Sequence, residues 1–183
     1  MERARSRYLI FGLTDGLFLG LGISLGISVF NSYQLTLTSI LLVGISGSLS
    51  NFFSTYNAEN FILGQQIKEY QRILFSEDYN PHKITNTKRS KNLGYAITSF
   101  ISTLIGSTIV LSPYIAFYAL KIKQDTIASI LSLIVSLIIL SYVGSYSAEK
   151  LGEKIKEGAK TAGIGLIIAG ASTVIGLLIN TFI

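Results

Sequence analysis

The sequence predicts an all-α integral membrane protein of five transmembrane helices, N-terminus cytoplasmic and C-terminus outside. Three observations predict it. Of the 183 residues, 49% are hydrophobic and only 14% are charged, against about a quarter charged in soluble proteins. The apolar residues fall in blocks of about 20, the length that spans a bilayer core. The cationic residues fall on alternate connections, as the positive-inside rule requires of cytoplasmic segments.

The elements follow in order, as one transmembrane domain. Helix 1 is expected over residues 8–30. Arg3, Arg5 and Arg7 precede it, as in a signal peptide. The apolar run is long for a signal segment and no small-residue cleavage site follows, so it reads as a retained helix. A short uncharged turn separates it from helix 2, residues 35–63, which continues as a polar helix toward residue 75. Residues 76–92 read as a loop: they hold Asn80-Pro81 and several cations. Helix 3 covers residues 93–120, with a kink expected at Pro113. Helix 4 covers 126–146 after a tight turn. Residues 148–160 read as a charged helical connector, and helix 5 covers 161–183.

Cation placement tests this count. With the N-terminus inside, thirteen of the fifteen Lys and Arg residues lie on inside segments, and only Lys121 and Lys123 lie outside. Dropping one helix would flip the later loops and destroy the asymmetry. Topology therefore accounts for the net charge of +5 without a nucleic-acid partner.

Composition also limits the chemistry. There is no cysteine, and the one methionine is Met1, so neither thiolate nor thioether ligands are available inside the membrane. The one histidine, His82, lies in the polar loop. No His-Glu-x-x-His motif is present, and the Gly-x-Ser-x-Gly spacing at residues 22–26 falls inside the first apolar helix, not at the strand-to-helix turn of a nucleophile elbow. An enzyme and a resident cofactor are not expected.

Asp15 is the sharpest single feature. It lies seven residues past Tyr8, about 10 Å into helix 1 at 1.5 Å per residue. A carboxylate in such a place is costly and typically faces a bundle interior on an ion or proton path. The alternative is a hydrogen-bonded structural aspartate. Gly12, Gly16 and Gly20 recur at spacing four beside it, as do Gly22 and Gly26. This small-xxx-small pattern allows close helix approach, within the chain or across a two-fold axis. Helix 2 carries a polar stripe that includes Ser46, Ser50, Asn51 and Glu59. Such side chains must face protein or water, through interhelical hydrogen bonds or along a hydrophilic path. Asp15, Gly16, Ser46, Ser50, Asn51 and Glu59 are the expected ion path, with Asp15 and Glu59 as metal ligands and Glu59 at the cytoplasmic mouth. Glu149, Glu153 and Glu157 share one helical face before helix 5, but interleaved lysines make a solvated, charge-balanced surface the commoner explanation.

The stretch GLTDGLFLGLGISLG, residues 12–26, resembles the first-helix signature of the vacuolar iron transporter family, whose members are also proposed to carry manganese. Asp15 falls on the aspartate of that family's ion path. Helix 2 from Gly44 to Glu59, the Pro113-Tyr114 pair and the charged connector before the last helix extend the likeness over nearly the whole chain. The resemblance implies a homodimer with the ion path between the two copies of helix 1. Three features depart from the family pattern. Its Ser-Met pair aligns with Ser46-Gly47, its Gly-Glu-Tyr with Ser50-Asn51-Phe52, and its glutamate-rich cytoplasmic domain is replaced by a short basic segment. The chain thus resembles a short form of the family that lacks the cytoplasmic metal-binding domain.

The expected function is export of a divalent cation, Mn²⁺ or Fe²⁺, from the cytoplasm, with proton exchange as a possible coupling. An all-oxygen ligand set suits the harder ion, manganese. The competing expectation is a non-transporting scaffold or assembly protein whose basic loop binds anionic lipid or a partner. The expected host is a prokaryotic plasma membrane.

Overall fold

A computed structural model describes residues 2–74, 81–122, 124–146 and 148–182, with side chains described for 5–69, 88–122, 124–146 and 148–182. It contains five helices: α1 (Glu2–Ser28), α2 (Tyr33–Leu74), α3 (Pro81–Ala119), α4 (Asp125–Ser145) and α5 (Leu151–Phe182). All five are long and apolar enough to cross a membrane. The chain is an integral membrane protein. The turns α1–α2 and α3–α4 lie at one end of the bundle. The α2–α3 and α4–α5 connections lie at the other, called here the basic end.

Both short turns use a left-handed residue to stop a helix. Asn31 has φ 50° and Lys121 has φ 57°. Asparagine tolerates this conformation after a helix C-terminus. Lysine has no such advantage and is held by the turn, where its amide donates to the Tyr118 carbonyl at 3.0 Å.

The expected loop at 76–92 is corrected by the structure. Helix α3 begins at Pro81, so residues 81–92 are helical. Proline at the first helical position loses no hydrogen bond and presets φ. The Asn80-Pro81 pair thus marks a helix start. His82 and Lys83 fall in this first stretch, outside the residues whose side chains are described. Similarly, the charged connector and helix 5 are one helix from Leu151 onward. At 42 and 39 residues, α2 and α3 would be about 60 Å long, twice the roughly 30 Å hydrocarbon core. They extend well beyond the bilayer at the basic end.

Pro113 does not break α3. It removes one backbone donor, and Ser112 Oγ donates instead to the Ile109 carbonyl, four residues before the proline, at 2.7 Å. Ser132 Oγ on α4 donates to the Val110 carbonyl at 2.7 Å. Hydroxyls re-satisfying backbone near a proline are what a lipid-embedded helix requires.

The interior is rich in serine and threonine, while large apolar side chains such as Leu42, Ile138 and Ile167 point outward. This inversion is expected where lipid tails are as apolar as leucine and close packing supplies the cohesion. Helix α1 is central and touches all four others. Its glycines are consumed within the chain. A Cβ at Gly12 would lie 2.6 Å from the Ser99 carbonyl oxygen, and one at Gly16 would lie 2.9 Å from the Thr103 carbonyl carbon, both on α3. Gly22 and Gly26 face Ser172 on α5. Of the two readings of the glycine ladder, intramolecular packing is the one this chain uses. A dry cluster of Leu17, Leu21, Val110 and Leu140 fills the middle.

Candidate functional site

Asp15 lies in the central part of the α1 span Arg5–Ser28, ten residues past Arg5, or about 15 Å along the axis. It is half-buried. Asn51 of α2 donates from Nδ2 to Asp15 Oδ2 at 2.7 Å. The same nitrogen donates to Thr103 Oγ1 of α3 at 2.8 Å. Thr103 Oγ1 in turn donates to the Ser99 carbonyl at 2.9 Å. Both Asn51 amide hydrogens are therefore spent on groups from two other helices, which fixes the amide's orientation. Among the described residues, the side-chain hydrogen bond to this carboxylate falls on Oδ2.

The glycines explain how three helices meet there. Gly16 lets α1 lie against the Thr103 backbone, and Gly106 of α3 meets the Leu17 amide in the same way, with a Cβ there 2.9 Å from that nitrogen. Gly44 of α2 admits the Ser107 side chain. Only with the α1 and α3 backbones this close does the Thr103 hydroxyl reach Asn51.

The expected path residues separate into three groups. Asp15, Gly16 and Asn51 form the mid-span cluster. Ser46 and Ser50 are exposed on α2, and Ser46 Oγ donates to its own helix at Val43, 3.2 Å. Glu59 lies near the basic end, two turns along α2 from Asn51. Its carboxylate accepts a hydrogen bond from the Tyr8 hydroxyl and pairs with Arg7 at 3.4 Å. Asp15 and Glu59 are thus separate stations. Among the described residues, no three His, Cys, Asp or Glu side chains come together as a metal site.

Beside Glu59 is a cavity of about 210 Å³ between α2 and α3, lined by Gln66, Lys88, Lys91, Asn92 and Tyr95 among others. Asn92 donates to Asn60 Oδ1 at 3.1 Å across it. Tyr8 stacks on Tyr95, centroids 5.4 Å apart, so the Glu59 partner is itself held by α3. In the last connection, Glu157 pairs with Lys160 at 3.6 Å, as a charge-balanced surface predicts.

Sequence reasoning missed Thr103. Hydroxyl residues are common in α3, and nothing in their spacing distinguishes this one. It also missed Asp125, which had been placed in a turn. Asp125 opens α4, is 6% exposed, and accepts from Thr36 Oγ1 at 3.1 Å.

Five apolar helices, three of which meet at a carboxylate–amide pair in mid-span, define a polytopic membrane protein with a polar intramembrane site. Residues 57–177, about two thirds of the chain, match the model of the VIT family. The protein belongs to that family, which is one of membrane metal-ion transporters. The match includes Glu59 but begins beyond Asp15 and Asn51. No curated protein matches the chain.

Proposed function

We propose that the protein exports a hard divalent cation, Mn²⁺ in preference to Fe²⁺, from the cytoplasm, and that Asp15 is the intramembrane ligand. The carrying observation is the Asp15–Asn51–Thr103 cluster. A carboxylate in mid-span, oriented by an amide, has the form of an ion-path residue. Every nearby donor atom is oxygen or nitrogen, which favours the harder ion.

The direction follows from topology. The cations cluster at the end bearing the N-terminus, and the positive-inside rule makes that end cytoplasmic. Glu59 is then the mouth at which a cation first meets a carboxylate, and Arg7 competes for it. A proton taken by Asp15 after the metal leaves would reset the site and couple export to a pH gradient.

One chain supplies one mid-span carboxylate, and a second copy would supply another. We propose a homodimer on this ground and on the family resemblance. The α1 glycines are used within the chain, so the contact would use the α1 face of Phe11 and Asp15. These lie one turn apart on the same side, and Phe11 is 56% exposed.

The test is flux into liposomes. Wild-type protein should move Mn²⁺ faster than Fe²⁺, and a proton gradient should accelerate it. Asp15→Asn should abolish the flux. If wild-type protein moves neither ion under any gradient, the reading fails. If Asp15→Asn transports at the wild-type rate, the site assignment fails.

A further inference from the structure

The end of the bundle opposite the basic end carries a second polar system, built on Asp125. We propose that it is a cation-binding site, separate from Asp15, which takes a hard divalent ion at a vestibule between the α1–α2 and α3–α4 turns.

The vestibule has a volume of about 1070 Å³ and is lined by Asn31, Tyr33, Gln34, Lys121 and Asp125 among others. At its wall, Asp125 is 6% exposed. Its Oδ2 accepts from Thr36, but its Oδ1 is buried with no hydrogen-bond partner among the described residues. Tyr33 also lines the vestibule, and its buried hydroxyl has no side-chain hydrogen-bond partner among the described residues. A buried carboxylate oxygen left unpaired is costly. The Asp125 carboxylate and the Tyr33 hydroxyl, beside a cavity of mixed polar and apolar lining, form an incomplete ligand set for a cation that brings its own waters. Hard divalent ions accept this mixture of carboxylate, hydroxyl and water.

The wall is rigid. Ser129 Oγ donates to the Asp125 backbone carbonyl at 2.8 Å, which spends its one proton. The Tyr114 hydroxyl, 2.7 Å from Ser129 Oγ and 2.8 Å from Ser24 Oγ, therefore donates to Ser129 and accepts from Ser24. This chain ties α1, α3 and α4 together behind Asp125. Tyr33 is held over Tyr114 and Tyr118 by ring contacts at 5.7 and 6.3 Å between centroids.

The site is distinct from the mid-span cluster. Ser24 lies nine residues past Asp15 on α1, about 13 Å along the axis. Leu17 and Leu21, both fully buried, lie between them in depth. The site is also built to be weak. The N-terminus of α4 presents a positive dipole end to the cavity, and Lys121 adds a cation. A site from which an ion must leave needs that weakness.

The test is Mn²⁺ binding to the purified full-length chain carrying Asp15→Asn and Glu59→Gln, followed by electron paramagnetic resonance of free Mn²⁺. Binding is read without transport, so absence of flux does not bear on it. One saturable site is expected. Adding Asp125→Asn should weaken it at least tenfold, while Asp125→Glu should keep it within a few-fold. Lys121→Glu, which places another carboxylate on the same cavity, should tighten it several-fold and covers the case in which Asp125→Asn does not fold. No saturable binding in the protein carrying Asp15→Asn and Glu59→Gln overturns the proposal. So does binding unaffected by a folded Asp125→Asn or, failing that, by Lys121→Glu.

Discussion

Asn51 Nδ2 lies 2.7 Å from Asp15 Oδ2 and donates to it, so the mid-span carboxylate is held by a neutral partner on a neighbouring helix. A neutral donor satisfies the carboxylate without cancelling its charge. It leaves the site one charge short of what a second carboxylate would provide.

Restoring that charge is the first prediction. Asn51→Asp places two carboxylates within hydrogen-bond distance, where they must share a proton or a cation. Apparent affinity for Mn²⁺ in the flux assay should rise by about tenfold, with steeper dependence on pH. Asn51→Leu, which removes the donor and leaves Asp15 Oδ2 unpaired, should cost about 1–3 kcal/mol in stability and abolish flux. A thermal melt in detergent beside the flux assay separates the two effects.

Arg7 and Glu59 give the second. The Arg7 side chain is 67% exposed, and exposed pairs contribute about 0–1 kcal/mol. Arg7→Ala should therefore leave the melting temperature nearly unchanged. It should lower the KM for the cation by about two- to three-fold, because the mouth carboxylate loses its competitor and the local potential becomes more negative. Glu59→Gln should raise KM in the opposite direction. Initial rates across a concentration series at low and high salt check both.

The glycines of α1 and α5 should behave differently. Gly16→Ala drives a methyl into the α3 backbone at Thr103 and should cost about 1–3 kcal/mol as overpacking. Gly170 has nothing within 4 Å of where a Cβ would lie, so Gly170→Ala should gain up to about 1 kcal/mol from helix propensity. Equal melts for the two variants would show that α1 and α3 are not in the close contact described.

Lys121 supplies a fourth. At φ 57° a side-chain-bearing residue pays about 1–2 kcal/mol that glycine does not. Glycine gives back part of this in chain entropy. Lys121→Gly should raise stability by about 0.5–1 kcal/mol, read as a higher melting temperature.

The number of helices was legible because bilayer thickness sets the length of each apolar block and the hydrophobic residues must fill it. Asp15 was legible because a carboxylate is conspicuous in an apolar run. Where helices extended into water, local signals misled. Residues 81–92 carry lysines and polar residues that resemble a loop, yet nothing in them after Pro81 stops a helix, and α3 begins there. The glycine ladder of α1 fitted two arrangements equally well, since period four says that something packs closely but not what.

Tertiary structure decided which neighbours those signals met. Sequence alone determined that the chain spans a membrane five times, places a carboxylate in helix 1 and offers an amide in helix 2. It could not select Thr103 from the hydroxyls of α3, pair Glu59 with Tyr8 and Arg7, or show that Asp125 sits against a vestibule with an oxygen that no described residue pairs. The physical reason is that hydrophobic length and charge are properties of one segment. Hydrogen-bond partners depend on the angle and separation of two or three helices, which the glycine contacts between α1 and α3 set.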